Sequence, residues 1–534
     1  MSTKEHLSLD TSSSFLPTWF QKRSKSKERY EYNSESVIRW GFTKLWPNIH
    51  SFLIFLLPSF ISNRYSKTPP RYSLKSTSWL DGLRGIACLL VYSYHFHGSC
   101  FPTMREPWDY KTNNGYIALP IIRILHSGDT MVAIFFIISG FALSIKSVKT
   151  LKGLTSFENG HALSKDLASS VCRRYLRLVL PCAGSFLLVG LFASAGWFEA
   201  VPYNGENETW LRGGMISPRA PMQESLYKQA VWVLGDYYKY AVDVVLFNDS
   251  IGYRWETNSH LWTIPMEFRE SLYVFLMILG LSNFKRWARV RLVLPLCVII
   301  GLYNGSWQFA LFMLGFLLAE IHATLEDDEN YLSLGTANGT KKSVYDRHPR
   351  VFSFLKVTAL TVGLYLGSYP IRAPLPHEAS GFSLLTAWTP PSHVYTENHG
   401  PVYFWAGVGA GMIVASVVFL PVIQKLLCSG VCQYLGRISF SLYLVHGPLL
   451  QSLGYSLLLA TWGIVGVGKL FDSERSPNDP TDKDVQNLEN WKIVTTWFVF
   501  AINTTVTVWV SDIFWRAFDA PSVKFTRWLE KKFI

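Results

Sequence analysis

Several ionisable residues in this 534-residue chain stand inside or at the mouth of long apolar runs, where a charge or a titratable ring is costly. The stretch LDGLRGIACLLVYSYHFHG, residues 80–98, opens on Asp81 and Arg84 and closes on His95 and His97. At ~100° per residue, Arg84 and His95 return to within ~20° of one helix face, separated by a rise of about 16 Å. His97 points nearly the opposite way. A guanidinium at one end of a stripe suits an anion. An imidazole three turns further along suits proton transfer, because its ordinary pKa lies near neutrality. An anchoring role also fits these residues, with Arg84 snorkelling to headgroups and His95 capping the helix end.

Four further stretches carry groups of the same kind. In HLWTIPMEFRESLYVF, residues 260–275, His260 and Glu267 share a helix face unless Pro265 starts or kinks the helix between them. Arg269 and Glu270 read as ordinary charges at the mouth of a span. In CRRYLRLVLP, residues 172–181, Arg174 and Arg177 share a face and form a basic cluster with Arg173. Such forks suit polyphosphate, and they equally suit a topology anchor. In YLGRISFSLYLVHGPLL, residues 434–450, His446 lies in mid-span, while Ser439 and Ser441 read as helix-packing residues. Ser139-Gly140 in FFIISGFALS, residues 135–144, predicts a close approach of two helices.

The elements that must hold these groups are membrane helices. Charged residues make up 16% of the chain against the roughly 25% of soluble domains, aromatics reach 15%, and apolar runs alternate with short polar loops. The predicted fold is all-α, a polytopic transmembrane bundle of about ten spans. These lie near 83–97, 130–147, 178–198, 261–281, 290–304, 306–323, 351–369, 403–423, 436–462 and 493–517. Residues 1–50 read as a disordered basic tail, and 51–77 as an interfacial or re-entrant segment and linker. The transmembrane domain is expected over 78–522, with a C-terminal tail at 523–534. Loop Lys and Arg place both termini and the loops 148–177 and 282–291 in the cytosol. The loops 199–260, 370–402 and 463–491 then face the lumen or exterior. Sequons at Asn207 and Asn248 in the first of these agree with that side. The net charge of +12 reads as orientation and lipid-headgroup contact, with no nucleic-acid partner expected. The seven scattered cysteines show no zinc-ligand spacing, so no metal is expected.

Taken in order, LDGLRGIACLLVYSYHFHG, FFIISGFALS, RRYLRLVLP, HLWTIPMEFRESLYVF, LGRISFSLYLVHGPLL and FWRAFDAP resemble the acyltransferase 3 family of integral-membrane acyltransferases. The resemblance covers about residues 78–522. It implies a bundle of about ten helices that moves an acyl group, commonly acetyl, from acyl-CoA to a hydroxyl. His95 then corresponds to the family's essential histidine and Arg84 to the arginine preceding it. Arg174 and Arg177 correspond to the paired arginines linked to donor binding, and Glu267 to the acid of the LWxxxxE motif. Bacterial members often read VEEQFY where this chain has MEFRES, so only Glu267 carries over. The implied catalytic pair is His95 and Glu267, with Arg84, Arg174 and Arg177 on the donor. Asp81, Arg173, His260 and His446 are further candidates. The expected partners are membrane lipid, the acyl donor and a hydroxyl-bearing acceptor: a glycan, a lipid or a small metabolite. A transporter or flippase also places His, Arg and Glu in its helices, but no inverted repeat or matched pair of broken helices is visible.

Overall fold

The computed structural model describes residues 50–65, 73–108, 115–152, 157–199, 211, 220–248, 258–333, 349–371, 380–394, 400–471 and 483–533. The expected N-terminal tail and Asn207 fall outside this set. The chain divides at residue 67 into two units. In the first, helical pieces at 50–56 and Ser59–Ser62 break at Pro58, as that residue's missing N–H requires.

The second unit is a helical bundle with no strand among the described residues. Its long helices are α1 (Ser78–Cys100), α2 (Gly128–Lys152), α3 (Phe157–Ser194), α4 (Leu226–Val245), α5 (Thr263–Gly280), α6 (286–303), α7 (Trp307–Ser333), α8 (Pro349–Gly367), α9 (Gly400–Val418), α10 (430–464) and α11 (483–533). Six of them, α2, α3, α7, α8, α9 and α11, are long and apolar enough to cross a membrane on length and composition. Every expected span coincides with a helix. Of the helices that hold candidate groups, α3 is among the six, while α1, α5 and α10 fall outside because polar residues lower their hydropathy. On α1, Ser93, His97 and Ser99 are all buried. By contrast α8 buries only 17% of its apolar window and faces outward.

Glycine sets the closest helix contacts. A Cβ on Gly85 would lie 2.4 Å from the Gly436 nitrogen, and one on Gly436 would lie 2.2 Å from the Asp81 carbonyl oxygen, so α1 and α10 touch backbone to backbone. The approach expected at Ser139-Gly140 is present between α2 and α7. There a Cβ on Gly140 would lie 2.2 Å from the Phe312 oxygen, and one on Gly315 would lie 2.2 Å from the Ile137 oxygen. Two apolar cores flank the centre. One includes Phe136, Ile137, Phe312 and Val414 of α2, α7 and α9; the other includes Phe186, Tyr240, Ile264 and Leu444 of α3, α4, α5 and α10.

Three segments differ from the expected layout. The loop expected at 148–177 is largely helical, because α2 runs on to Lys152 and α3 starts at Phe157. The tail expected at 523–534 is the last part of α11, helical through Phe533. The loop expected at 199–260 contains α4, which runs antiparallel to α3. As α4 advances, Val233 meets Gly190, Tyr237 donates to the Val179 carbonyl at 3.3 Å, and Ala241 accepts from Tyr175 at 3.1 Å. Phe247 then stacks near Phe268, and Asn258 accepts from Ser185 further back along α3. Thus α4 is a re-entrant helix packed along α3 rather than part of a surface loop. Lys228, Asp236, Lys239 and Asp243 interrupt its apolar run, which is why hydropathy alone passes over it. Asn248 stands at the Tyr175 end of α3, beside the arginine cluster, and its amide donates to Asp243 at 3.1 Å. That position removes its sequon as support for a lumenal loop.

Candidate active site

The candidate residues form a file along the α1–α10 interface. The contacts advance together in both helices, which are therefore parallel. Arg84 donates from Nε to Ser439 Oγ and from Nη2 to the Gly436 carbonyl, each at 2.8 Å. Cys88 Sγ meets the Ser439 carbonyl at 3.1 Å, and the His95 and His446 rings lie 5.3 Å apart. Asp81 pairs with Arg84 at 3.0 Å from an exposed position. The Arg84–His95 stripe is thus present as one line of side chains, and α10 supplies a matching line.

The inner end of the file holds three histidines from three elements. His260, in the 3-10 turn Ser259–Trp262 before α5, lies 4.7 Å ring to ring from His446. Gly447 makes room for it, since a Cβ there would lie 2.5 Å from His260 Nδ1. His446 Nδ1 lies 2.8 Å from the Tyr443 carbonyl and 3.2 Å from that of Leu442. A carbonyl only accepts, so Nδ1 carries the proton and Nε2 keeps the lone pair. That Nε2 and the Nε2 of His260 are buried and unbonded among the described residues. His95 is half-buried, and its ring nitrogens make no hydrogen bond to the described residues. A neutral imidazole with an open lone pair beside other neutral rings can take a proton from a hydroxyl. His97, on the other face, is fully buried against Trp497 and Phe500.

Below this lies a hydroxyl layer. Tyr443 donates to the His260 carbonyl, and its oxygen lies 2.8 Å from that of Thr263. One turn on, Glu267 accepts from Ser139 at 2.5 Å and pairs with Arg174 Nη2 at 3.6 Å. Arg174 Nε donates to Ser271 at 2.7 Å, while its Nη2 is buried with no hydrogen bond of its own. The partners of Glu267 are therefore Ser139 and Arg174, and His95 is not among them. Its charge holds a guanidinium in a largely dry site, which is a positioning role. Glu270 is also buried, paired with Arg269 at 2.8 Å, and so is no mouth charge.

The three clustered arginines separate by direction. Arg174 turns toward α5, Arg173 donates to Glu530 of α11 at 2.7 Å, and Arg177 lies exposed between them. Arg177 feels the charges of Arg174, Arg84, Asp519 and Arg527, so the file is cationic at this end. Sequence reasoning flagged every charged member of the file except Asp519 and Arg527. It took Ser139 and Ser439 as packing residues and gave no role to Tyr443, Thr263 or Ser271. The signal it lacked was helix register, which decides which hydroxyl meets which charge.

An apolar helix bundle with a file of arginines and histidines at its core fits an integral membrane protein with a polar seam inside it. Comparison with known proteins narrows this to one family. The acyltransferase 3 family model, described as an acyltransferase domain, matches residues 77–516, and the chain belongs to that family. It is 30% identical over 424 residues to the O-acetyltransferase PaAT-1 of Phomopsis amygdali, covering 75% of this chain and 77% of that one. It is 27% identical over 415 residues to acyltransferase R4 of Phoma sp. (73% and 86% covered). It is also 27% identical over 420 residues to acyltransferase clz18 of Cochliobolus lunatus, with the same coverage. No solved structure matches the chain significantly. The protein is an O-acyltransferase of the membrane.

Proposed function

We propose that this enzyme moves an acetyl group from acetyl-CoA to a hydroxyl of a glycan, lipid or small metabolite. The observation that carries the reading is the single file from Arg177 and Arg84 to His95, cationic at one end and basic at the other. A CoA thioester has the same polarity, with phosphates at one end and the reacting carbonyl at the other. The arginines hold the phosphates by charge-assisted hydrogen bonds, and the pantetheine arm runs along the α1–α10 seam. The naming of the Phomopsis relative as an O-acetyltransferase supports acetyl as the group transferred.

At the inner end the acceptor hydroxyl gives its proton to the open nitrogen of His95 as its oxygen bonds to the thioester carbonyl carbon. The tetrahedral intermediate collapses, the C–S bond breaks, and the imidazolium returns the proton to the departing thiolate. His446 lies behind His95, with its own proton committed to the Tyr443 carbonyl. Atoms and charge balance without a metal or a redox partner. A covalent route is a second reading, favoured by the open nitrogen of His95: the ring itself takes the acetyl group and then passes it on. Mixing the protein with labelled acetyl-CoA alone separates the two, since only the covalent route leaves label on His95.

The donor reading is tested with purified protein. Release of CoA thiol that depends on added hydroxyl acceptors supports it. Substrate flux into liposomes without any donor, and no thiol release, would return the chain to the transporter reading.

A further inference from the structure

The C-terminal part of α11 lies antiparallel to the first half of α3 and is fastened at two points. Phe514 and Phe518 fill the place where Gly184 has no side chain, with Phe518 Cγ 2.7 Å from a Cβ built there. Some twelve residues on, Glu530 accepts from Arg173 and from Ser169. By this register Arg527 falls about one turn from Arg177, near the level of Arg174, and both Arg527 and Arg177 are exposed. Asp519 stands further in, within electrostatic reach of both Arg177 and Arg84.

The charges around this point do not cancel. Arg84 is matched by Asp81, Arg174 by Glu267 and Arg173 by Glu530. That leaves Arg177, with Asp519 and Arg527 both in electrostatic reach, and neither Arg177 nor Arg527 forms an ion pair or hydrogen bond among the described residues. Two unsatisfied guanidiniums from packed helices, about one turn apart by register and in electrostatic reach of each other at the outer end of the file, suit an anion with several acceptor oxygens. On a CoA thioester, the phosphate furthest from the reacting carbonyl is the ribose 3′-phosphate.

We propose that Arg527, on the C-terminal helix and beyond the family match that ends at residue 516, binds the donor and grips its 3′-phosphate together with Arg177. The inference rests on the acyl-CoA reading above. The Glu530 contact with Arg173 and Ser169 serves it by holding α11 in register.

The test compares initial rates with acetyl-CoA and with acetyl-dephospho-CoA, which lacks the 3′-phosphate. The full-length wild type is set beside Arg527→Ala, Arg527→Lys and Lys532→Ala, the last on the opposite side of α11. The expected result is a wild-type KM lower for acetyl-CoA than for the dephospho donor. Arg527→Ala should raise the acetyl-CoA KM roughly tenfold, with kcat within about twofold and the dephospho KM unchanged. Arg527→Lys should fall between them, and Lys532→Ala should match wild type. An Arg527→Ala enzyme that discriminates between the donors as well as wild type does would overturn the inference and leave the donor reading intact. A wild type that uses both donors equally would likewise overturn the inference and leave the donor reading intact, whereas one that uses neither would overturn the donor reading and this inference with it.

Discussion

In the proposed mechanism the chemistry rests on the imidazole of His95, which the surrounding residues leave open. His446 has its Nδ1 proton engaged with backbone carbonyls, His260 is wedged over Gly447, and His95 is half-buried with unbonded ring nitrogens. Replacing Glu267 by Gln should keep the Ser139 hydrogen bond and leave Arg174 without its counter-charge in a largely buried site. The pair is partly exposed, so the loss should be smaller than the ~3–5 kcal/mol of breaking a fully buried pair. Thermal unfolding of Glu267→Gln, Arg174→Ala and the double variant checks this. The double variant should lose less than the two single losses added together. Strict additivity would show that the two side chains are not coupled. The candidates themselves were legible in the sequence, because a charge in an apolar run stands out and period arithmetic put Arg84 and His95 on one face. Their partners were not. Ser139, Ser271 and Thr263 meet Glu267, Arg174 and Tyr443 across helix boundaries, and no period within one helix encodes that register.

At the scale of the elements, the file exists because α1 and α10 touch. Their backbones meet at Gly85 and Gly436, and even a methyl group would collide there. Gly436→Ala should therefore cost about 1–3 kcal/mol and push Arg84 off its Gly436 and Ser439 contacts. A lowered Tm with a raised donor KM is the expected readout, and an unchanged Tm would contradict the contact. Ser139-Gly140 shows that such approaches can be read in advance, since small residues in an apolar run have few other uses. The re-entrant α4 was not legible, because its charged residues break the hydropathy on which span reading depends. Glycan mapping tests its placement. Asn248, bonded to Asp243 beside the arginine end of α3, should carry no glycan. A glycosylated Asn248 would mean that α4 leaves α3 in the cell.

For the whole molecule, the donor reading requires the arginine end of the file to face the cytosol, where acyl-CoA is made. Cys172 is the one cysteine classed as exposed, and it adjoins Arg173. A membrane-impermeant maleimide should label it in permeabilised cells and spare it in intact ones. Labelling of intact cells would reverse the orientation inferred from loop charges. The bundle as a whole was readable from composition and alternating apolar runs. Its helical extensions were not, because α3 and α11 run past their apolar parts as charged helices packed on each other through Arg173 and Glu530.

The central claim is that His95 performs the transfer, and it is met most directly with wild-type and His95→Ala protein purified in parallel. Each is given labelled acetyl-CoA and a mixture of hydroxyl acceptors, and acetylated products are followed by mass spectrometry. The predicted result is product from wild type and a loss of at least ~10²-fold in His95→Ala, with an unchanged elution profile and Tm. Acetylated product from a well-folded His95→Ala enzyme at the wild-type rate would contradict it.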